Sequence, residues 1–507
     1  MKNIIGALVC IALLLCACNR EKNTDSLQRS EPEKQGVSSK DILAFLDAVE
    51  QSGAEWHSFV LLRHGKIVAE GWWNPFSPEY RQTVYSASKT FTSTAIGFAV
   101  SEKLLSVDDK VVSFFPDLLP DTVSSNLAQM SIKNLLSMAT GQESEPSRQG
   151  TGWAKGFLDF PVKYEPGTVF NYNSMATYML SAIIQKVTGQ RLLDYLTPRL
   201  FQPLGIEGAE WEISPDSINT GGWGLRVKTE DMAKLGQLYL QKGKWNGRQL
   251  LPESWIEEAT SAHILQKPEI TDEQRATDDW AQGYCYQMWR CRNNAYRADG
   301  AYGQYIIVMP ELDAVLAVQA EVMDMQKELN IVWDYLLPAI KPESLPEDKA
   351  TSDALKQRLA SLKIAPPKCG NTIQPFGEGS YTFTAADGKT KNIDLSLHFE
   401  QDTCIMQWNN YTLKFGRENW VKGETDRPAP NLAPNEAAFS EFNSFNVFGT
   451  YCFTDSATLT LNLKYIETPH TERFTLVFGN DGKLAVTLTN SMSNYTNYWL
   501  ALGKKVQ

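Results

Sequence analysis

The chain has 507 residues, of which 43% are hydrophobic and 21% are charged, and its formal net charge at pH 7 is −11. This composition is that of a globular protein, and the length exceeds what one hydrophobic core supports, so two or more domains are expected. The acidic charge and the lack of a basic stripe in the sequence argue against a nucleic-acid partner.

The N-terminus has the pattern of an export signal. Lys2 precedes an apolar run over residues 4–15, which falls below the roughly 20 residues that a membrane-spanning helix needs. The run ends in a Leu-Cys-Ala-Cys stretch that resembles the bacterial lipobox and implies lipidation of Cys18; the alternative is an ordinary signal peptide cleaved nearby. We predict a lipoprotein signal over residues 1–18, a polar tether over residues 19–32, and a lipid anchor in the bacterial cell envelope, facing the periplasm or the cell surface.

Residues 33–340 mix helical and strand patterns. Helical periodicity predicts helices over residues 41–49, 90–102, 176–187, 231–241, 252–260 and 326–337. Apolar runs predict strands over residues 59–62, 66–70, 284–288, 305–309 and 314–320, and a tight turn at residues 63–65 joins the first two as a hairpin. This order of elements is typical of an α+β domain with one antiparallel sheet covered by helices.

The chain changes character after residue 340. Residues 341–368 are rich in proline and charge, and we predict a linker there with one short helix over residues 352–362. From residue 369 onward, alternating runs over residues 381–384, 392–399 and 458–463 are separated by the turn signals Asp387-Gly388, Asn409-Asn410 and Asp481-Gly482. We predict an all-β domain of the sandwich or small-barrel kind over residues 369–507, whose partner the sequence does not identify.

Five cysteines follow the lipobox, at positions 285, 291, 369, 404 and 452, so at least one is unpaired within the chain. Cys285 and Cys291 look like positions on one extended strand, where six residues at about 3.3 Å each exceed the roughly 7 Å that a disulfide allows, unless the chain turns after Arg290. The sequence has no Cys-x-x-Cys and no His-x-x-x-His, so we predict no metal site.

The only Ser-x-x-Lys of the chain, Ser86 and Lys89, is the candidate catalytic pair. Residues three apart share a face of a helix, and a lysine that burial and the helix dipole leave deprotonated activates a serine hydroxyl. Tyr172 is a second candidate base, since it follows a turn and precedes the helix over residues 176–187. A phenolate stabilised by Lys89 would take the Ser86 proton; the alternative for Tyr172 is an aromatic residue of the core or rim.

Further motifs follow Ser-x-x-Lys in a fixed order: Pro-Gly-Thr-x-Phe-x-Tyr-x-Ser over residues 166–174, Gly-Gly-x-Gly-Leu-Arg over residues 221–226, and Gly-Gln-Leu-Tyr-Leu over residues 236–240. This series, over about residues 33–340, resembles the serine β-lactamase-related hydrolases. The resemblance implies a β-lactamase/transpeptidase-like fold, Ser86 as the acylated nucleophile, and Lys89 and Tyr172 as the proton-handling pair. Ser174 stands where many members have the asparagine of a Tyr-x-Asn motif, so a hydroxyl replaces a substrate-binding amide.

The third element of that family is Lys-Thr-Gly or His-x-Gly on the strand that edges the site; the best match here is Ala298-Asp299-Gly300-Ala301. The resemblance implies that Gly300 lets the backbone approach the substrate and that the N–H groups of Ser86 and Ala301 form the oxyanion hole. Ala298 replaces a cation, and Asp299 adds a negative charge where penicillins present a carboxylate, which disfavours β-lactam hydrolysis. Asp299 either faces a substrate amine or is a solvated charge at a strand end.

The sequence therefore predicts an exported serine hydrolase that cleaves an ester or amide bond of a small-molecule or peptide-like substrate through a Ser86 acyl-enzyme. We also predict no cofactor, because this acyl-transfer mechanism requires none. Its pattern looks most like the esterase and 6-aminohexanoate-oligomer hydrolase branch. One alternative is a penicillin-binding D-amino-acid peptidase or β-lactamase, against which Ala298 argues. The other is a non-catalytic binding or sensor protein on the same fold, against which the joint presence of Ser86, Lys89 and Tyr172 argues.

Overall fold

The computed structural model describes residues 27–370, 379–385, 393–435, 437–479, 483–496 and 498–505. Several predictions concern residues outside these ranges: the signal peptide with Cys18, most of the tether, and the turns Asp387-Gly388 and Asp481-Gly482. Within them, the helices are too short or too polar to cross a membrane.

The first domain is built on a seven-stranded sheet. The strands of this domain are β1 (Gln28–Arg29), β2 (Glu55–Arg63), β3 (Lys66–Trp72), β4 (Gln82–Thr83), β5 (Glu210–Trp211), β6 (Leu225–Val227), β7 (Lys244–Trp245), β8 (Arg248–Gln249), β9 (Trp289–Arg290), β10 (Tyr296–Gly300), β11 (Gln304–Met309) and β12 (Ala314–Glu321). The strand order in the sheet is β1-β3-β2-β12-β11-β10-β9. All neighbours are antiparallel except the short edge strand β1, which pairs parallel with β3.

Helices cover both faces of this sheet, which confirms the predicted α+β arrangement. They are α1 (Ser39–Ser52), α2 (Ser88–Ser101), α3 (Val111–Phe114), α4 (Ser125–Gln129), α5 (Ile132–Leu136), α6 (Trp153–Asp159), α7 (Ser174–Thr188), α8 (Leu192–Leu196), α9 (Thr229–Leu240), α10 (Glu253–Thr260), α11 (Asp272–Arg275), α12 (Met325–Ile331), α13 (Leu337–Ala339) and α14 (Lys349–Ala360). The two faces of the sheet line two separate hydrophobic cores, as strand β11 shows. Ile306 and Val308 face the core around α2, α7 and α9. Tyr305 and Ile307 face the core around α1.

The predicted hairpin is present between β2 and β3. Its two-residue turn consists of His64 and Gly65, both with a positive φ (50° and 72°), which is the backbone that a tight hairpin turn requires. Strand β1 shows that the predicted tether is too long at its C-terminal end. Leu27 is only 7% exposed, and Gln28 pairs with Lys66, so residues 27–32 pack against the first domain.

The predicted strand over residues 284–288 is wrong. The chain turns there, because Gln287 has a left-handed φ of 64° and the N–H of Cys285 donates to the carbonyl oxygen of Met288 at 2.8 Å. The buried side chain of Gln287 stabilises the turn by donating to the carbonyl oxygens of Leu135 and Leu136. Cys285 and Cys291 therefore do not share a strand, and both are free thiols, as are Cys369, Cys404 and Cys452.

The second domain is all-β, as predicted. Its ten-stranded sheet curls until β16 (Tyr411–Arg417), at one edge, also pairs with β18 (Phe445–Phe453), near the other edge, at Gly416 and Thr450. Alternate residues such as Leu459, Leu461 and Leu463 fill the interior. The strands are β13 (Gly379–Ala385), β14 (Ile393–Glu400), β15 (Thr403–Trp408), β16 (Tyr411–Arg417), β17 (Val421–Thr425), β18 (Phe445–Phe453), β19 (Thr458–Tyr465), β20 (Thr471–Phe478), β21 (Lys483–Asn490) and β22 (Tyr498–Lys505).

Two kinds of contact join the domains. The predicted linker is packed rather than free, since Leu355 on α14 and Leu362 beyond it are 3% and 4% exposed, in the core around α1. From the second domain, Lys464 forms an ion pair of 2.6 Å with Glu55. The guanidinium of Arg226 lies 3.5 Å from the centre of the Phe442 ring. Both cations are buried, so the second domain is docked directly on the first.

Candidate active site

Ser86 and Lys89 meet at the start of α2. Ser86 lies in the single helical turn Tyr85–Ala87 that leads into the helix, and Lys89 lies in the first turn of α2 itself. The Nζ atom of Lys89 is 3.0 Å from the Oγ atom of Ser86. Ser86 is partly exposed, whereas Lys89 is 1% exposed. The spacing of three residues therefore sets a reachable hydroxyl against a buried amine.

Two further oxygen atoms hold the amine of Lys89. Its Nζ atom donates to the carbonyl oxygen of Gly222 at 2.7 Å and to the hydroxyl of Ser174 at 3.2 Å. A methyl group at Gly222 would lie 2.9 Å from the carbonyl oxygen of Ser174 and 3.5 Å from Nζ, so only glycine leaves room here. Ser174 thus belongs to the cluster around the lysine.

Burial lowers the pKa of Lys89 from 10.5 to about 7, because a buried ammonium group loses its hydration. The guanidinium of Arg148 lowers this pKa further, while the carboxylates of Glu145 and Asp299 oppose the shift. A large fraction of Lys89 is therefore a neutral amine at neutral pH. A neutral amine within hydrogen-bond distance of a serine hydroxyl is able to accept its proton.

Tyr172 completes the group around Ser86 and Lys89. Lys89 Nζ lies 4.9 Å from the centre of the Tyr172 ring. The ring stacks on Trp289, with ring centres 5.7 Å apart. Burial raises the pKa of Tyr172 above its usual value, although the neighbouring Ser86 hydroxyl lowers the pKa of the phenol in part, so the phenol keeps its proton at neutral pH. These contacts favour Lys89, rather than a Tyr172 phenolate, as the base.

Gly300 presses the end of β10 against the turn that carries Ser86. A Cβ atom on Gly300 would lie 2.2 Å from the carbonyl oxygen of Val84 and 3.2 Å from the amide nitrogen of Ala87. The small residue is thus needed for packing between the strand and this turn, and not for approach to a substrate alone. Because Ala301 follows directly, the backbone around Ala301 and the backbone around Ser86 lie next to each other.

Asp299 is neither a solvated charge nor free to meet a substrate amine. Its carboxylate accepts a hydrogen bond of 2.8 Å from the Nε atom of Arg297, and the guanidinium is fully buried. Alternate residues of a strand face the same side, which brings the two side chains together. The expectation of an uncompensated negative charge is therefore wrong, and so is the argument that this charge repels penicillins. Ala298, 2% exposed, still supplies no cation.

A loop between Gly141 and Gly150 places two charged residues, Glu145 and Arg148, next to the group around Lys89. The sequence patterns did not identify them. Glu145 accepts the N–H of Ser174 at 3.2 Å. Arg148 lies 3.5 Å from Glu145 and covers the indole ring of Trp223 at 4.9 Å. The loop has no periodicity that would mark these residues. The one available signal was Trp223, which lies within the Gly-Gly-x-Gly-Leu-Arg motif next to Gly222.

In the part of the chain that the structure covers, no group of three or more His, Cys, Asp or Glu side chains is arranged to hold a metal ion. The polar groups around Ser86 and Lys89 are two hydroxyls and a carbonyl oxygen, supplied by Tyr172, Ser174 and Gly222. This set suits proton transfer and nucleophilic attack by the serine.

Comparison with known proteins gives a consistent result. Residues 47–337 match the sequence model of the beta-lactamase family. The 6-aminohexanoate-dimer hydrolase of Paenarthrobacter ureafaciens is 23% identical over 280 residues, which are 51% of this chain and 71% of that protein. The lovastatin esterase of Penicillium rubens is 23% identical over 153 residues, 25% of this chain and 38% of the esterase.

A solved structure shows the same fold. A Bacillus anthracis protein named as a 6-aminohexanoate-dimer hydrolase superposes with a TM-score of 0.50 at 20% sequence identity, covering 64% of this chain and 89% of its own. Together with the family match, this confirms the β-lactamase/transpeptidase-like fold that the motifs implied for the first domain.

Proposed function

Since the chain belongs to the beta-lactamase family, and is a hydrolase of that family, we propose that it cleaves ester or amide bonds through an acyl-enzyme on Ser86. The observation that carries this proposal is the 3.0 Å contact between Ser86 Oγ and the Nζ atom of a lysine whose pKa burial lowers to about 7. A binding protein would gain nothing from placing a neutral amine there, at the cost of burying it.

In the first half of the proposed reaction, Lys89 accepts the Ser86 proton while Oγ attacks the carbonyl carbon of the substrate. The carbonyl oxygen becomes an oxyanion, which the N–H groups of Ser86 and Ala301 stabilise. The tetrahedral intermediate collapses as the leaving alcohol or amine takes a proton from Tyr172, whose phenol is protonated, and Lys89 restores it.

In the second half, a water molecule attacks the acyl carbon and gives a proton to Lys89. The ester bond to Ser86 breaks, and the proton returns to Oγ as the acid product leaves. The hydrogen bonds from Lys89 to Gly222 and Ser174 keep the amine in place through both halves.

A substrate panel tests the proposal. Short-chain p-nitrophenyl esters, small amides, a D-amino-acid peptide and nitrocefin are assayed with the wild type and with Ser86→Ala. We expect Ser86-dependent turnover, with an ester or small amide as the best substrate. If nitrocefin were hydrolysed faster than every ester and amide, the penicillin-recognising alternative would replace this proposal. Absence of any Ser86-dependent turnover would favour the binding or sensor alternative.

We further propose that the preferred substrates carry a carboxylate away from the bond that is cleaved. Arg148 supports this, since its side chain is 36% exposed and lies near Lys89. It also lines a cavity of about 440 Å³, together with Gly150 and Pro215 of the first domain and Pro434 and Asn435 of the second. Arg148 thus offers a cation, which Ala298 does not, and pairs with Glu145 when no substrate is bound.

Replacement of Arg148 by alanine tests this preference. We expect the KM for 4-carboxyphenyl butyrate to rise about 10-fold, the scale of one lost charge-assisted hydrogen bond, and the KM for the neutral 4-carbamoylphenyl butyrate to stay the same. Lys155→Ala is the matched control, because it removes an exposed cation from the adjoining helix. Lys155 is paired with Asp159, just as Arg148 is paired with Glu145. An equal change for both esters would refute a carboxylate site.

We also propose that the protein is exported and anchored to the membrane through a lipid on Cys18, on the evidence of the sequence alone. In a bacterial host, wild-type protein should fractionate with membranes and incorporate labelled palmitate, and Cys18→Ala should lose both properties. Cys16→Ala is the matched control, since it changes a cysteine two residues away. Membrane fractionation and labelling that survive Cys18→Ala would exclude this anchor.

A further inference from the structure

A histidine of the second domain reaches the residue that precedes Ser86. The hydroxyl of Tyr85 is hydrogen-bonded to the Nε2 atom of His470, across a sequence separation of 385 residues. Tyr85 is 4% exposed and His470 is fully buried. The loop that carries His470 is fixed nearby, because the N–H of Thr83 donates to the carbonyl oxygen of Glu467 at 2.9 Å.

The other ring nitrogen of His470 has a partner too. Nδ1 lies 2.7 Å from a carboxylate oxygen of Glu321, at the end of β12. A carboxylate oxygen accepts hydrogen bonds, so in the neutral imidazole Nδ1 donates to Glu321 and Nε2 accepts a hydrogen bond from the Tyr85 hydroxyl. Glu321 is itself held by the hydroxyl of Ser491, from the second domain. The chain from Glu321 to Tyr85 is therefore fully hydrogen-bonded.

His470 also packs against the residue that follows Ala301. The ring of Tyr302 meets the imidazole edge-on, with ring centres 5.0 Å apart, and lies 5.8 Å from the ring of Tyr85. Tyr85 and Tyr302 both have a left-handed backbone, with φ of 44° and 65°, which a bulky residue keeps only when its surroundings hold it there. One imidazole thus touches the neighbours of both proposed oxyanion-hole residues.

We propose that His470 is a positioning residue for the oxyanion hole, so that the second domain contributes to catalysis through this residue. The inference rests on the proposed function of Ser86. His470 does not touch the substrate. It fixes Tyr85 through a hydrogen bond and Tyr302 through ring packing, and these two residues set the directions of the N–H groups of Ser86 and Ala301. An oxyanion hole depends on such preorganised donors, and small misplacements weaken it.

The test uses full-length protein, p-nitrophenyl butyrate as substrate and phenylboronic acid as a probe that forms a tetrahedral adduct with an active serine. His470→Ala and Tyr85→Phe should each lower kcat by about 10- to 100-fold. This decrease is similar to, or smaller than, the decrease in kcat that follows removal of one oxyanion-hole donor. KM should stay within about 2-fold of the wild-type value. Boronate affinity should fall in proportion to kcat. His470→Gln, which offers an acceptor near the Nε2 position, should recover part of the loss.

His398→Ala is the matched control, because it removes a histidine from the same domain whose side chain is 60% exposed. It should behave as the wild type. If His470→Ala does not fold, Tyr85→Phe decides, since it removes a single hydroxyl oxygen and leaves the ring. Wild-type kcat and boronate affinity in Tyr85→Phe and in His470→Gln, with Ser86-dependent turnover intact, would overturn this inference. Turnover that does not depend on Ser86 would overturn the proposed function instead.

Discussion

Ser86→Ala is expected to remove covalent labelling by a fluorophosphonate and to lower ester turnover by at least about 1,000-fold, the scale seen when the nucleophile of a serine hydrolase is deleted. The reason is chemical, because alanine has no Oγ to form the acyl-enzyme. Intact-mass spectrometry measures the labelling, and a p-nitrophenyl ester assay measures turnover. Since Ser86 is partly exposed and its Oγ takes part in a hydrogen bond with Lys89, at the surface of the site and not in the core, the fold should be unaffected.

The matched control for this variant is Ser101→Ala, at the other end of the same helix. Its hydroxyl donates to the carbonyl oxygen of Phe98 at 2.8 Å, far along the helix from the site. Ser101→Ala should label and turn over substrate as the wild type does. Equal labelling of the wild type and Ser86→Ala would show that another residue is the nucleophile.

The features that the sequence predicted well depend on residues close together in the chain. Ser86 and Lys89 are three residues apart, so helical geometry alone brings them together. The hairpin at His64 and Gly65 follows from its local turn residues in the same way. The pairing of Asp299 with Arg297 was equally local, two residues apart on one strand face. Because alternate residues of a strand share a face, the sequence itself carries the signal for this pair.

The features that could not be predicted are contacts between distant segments. Glu145 and Arg148 lie on a loop without periodicity, and only the fold brings that loop to Ser174 and Trp223. His470 belongs to another domain, and no local pattern connects it to Tyr85. The left-handed turn at Gln287 depends on tertiary hydrogen bonds to the carbonyl groups of Leu135 and Leu136, which override the strand preference of its neighbours.

Replacement of Lys89 by methionine should lower kcat/KM by on the order of 100-fold or more, the usual scale for lost acid–base catalysis. In the wild type, kcat/KM should rise with pH to a plateau above about pH 7, because Lys89 acts as a base only when deprotonated and burial lowers its pKa to about 7. Below that pH, the rate should fall about tenfold per pH unit. The residual activity of Lys89→Met should not show this pH dependence near pH 7.

The same substitution should raise stability, which separates lost chemistry from lost structure. The pKa of Lys89 is about 7 in the folded protein and 10.5 when exposed. Between these values the unfolded chain binds more protons, so the contribution of Lys89 to stability increases as the pH rises from 7 to 10.5. Below pH 7 the folded protein carries a buried ammonium group at full cost. Lys89→Met removes that cost, and its gain in Tm should be largest below pH 7 and shrink toward pH 10.5.

Lys133→Met is the matched control for both measurements, because it removes a lysine that is 43% exposed and paired with Glu258 on the surface. Its pH–rate profile and its stability should follow the wild type. If kcat/KM of Lys89→Met still fell below about pH 7, another group would be the base. A Tm that fell equally at every pH would show that Lys89 is charged and well paired in the fold. In that case it could not take the proton of Ser86.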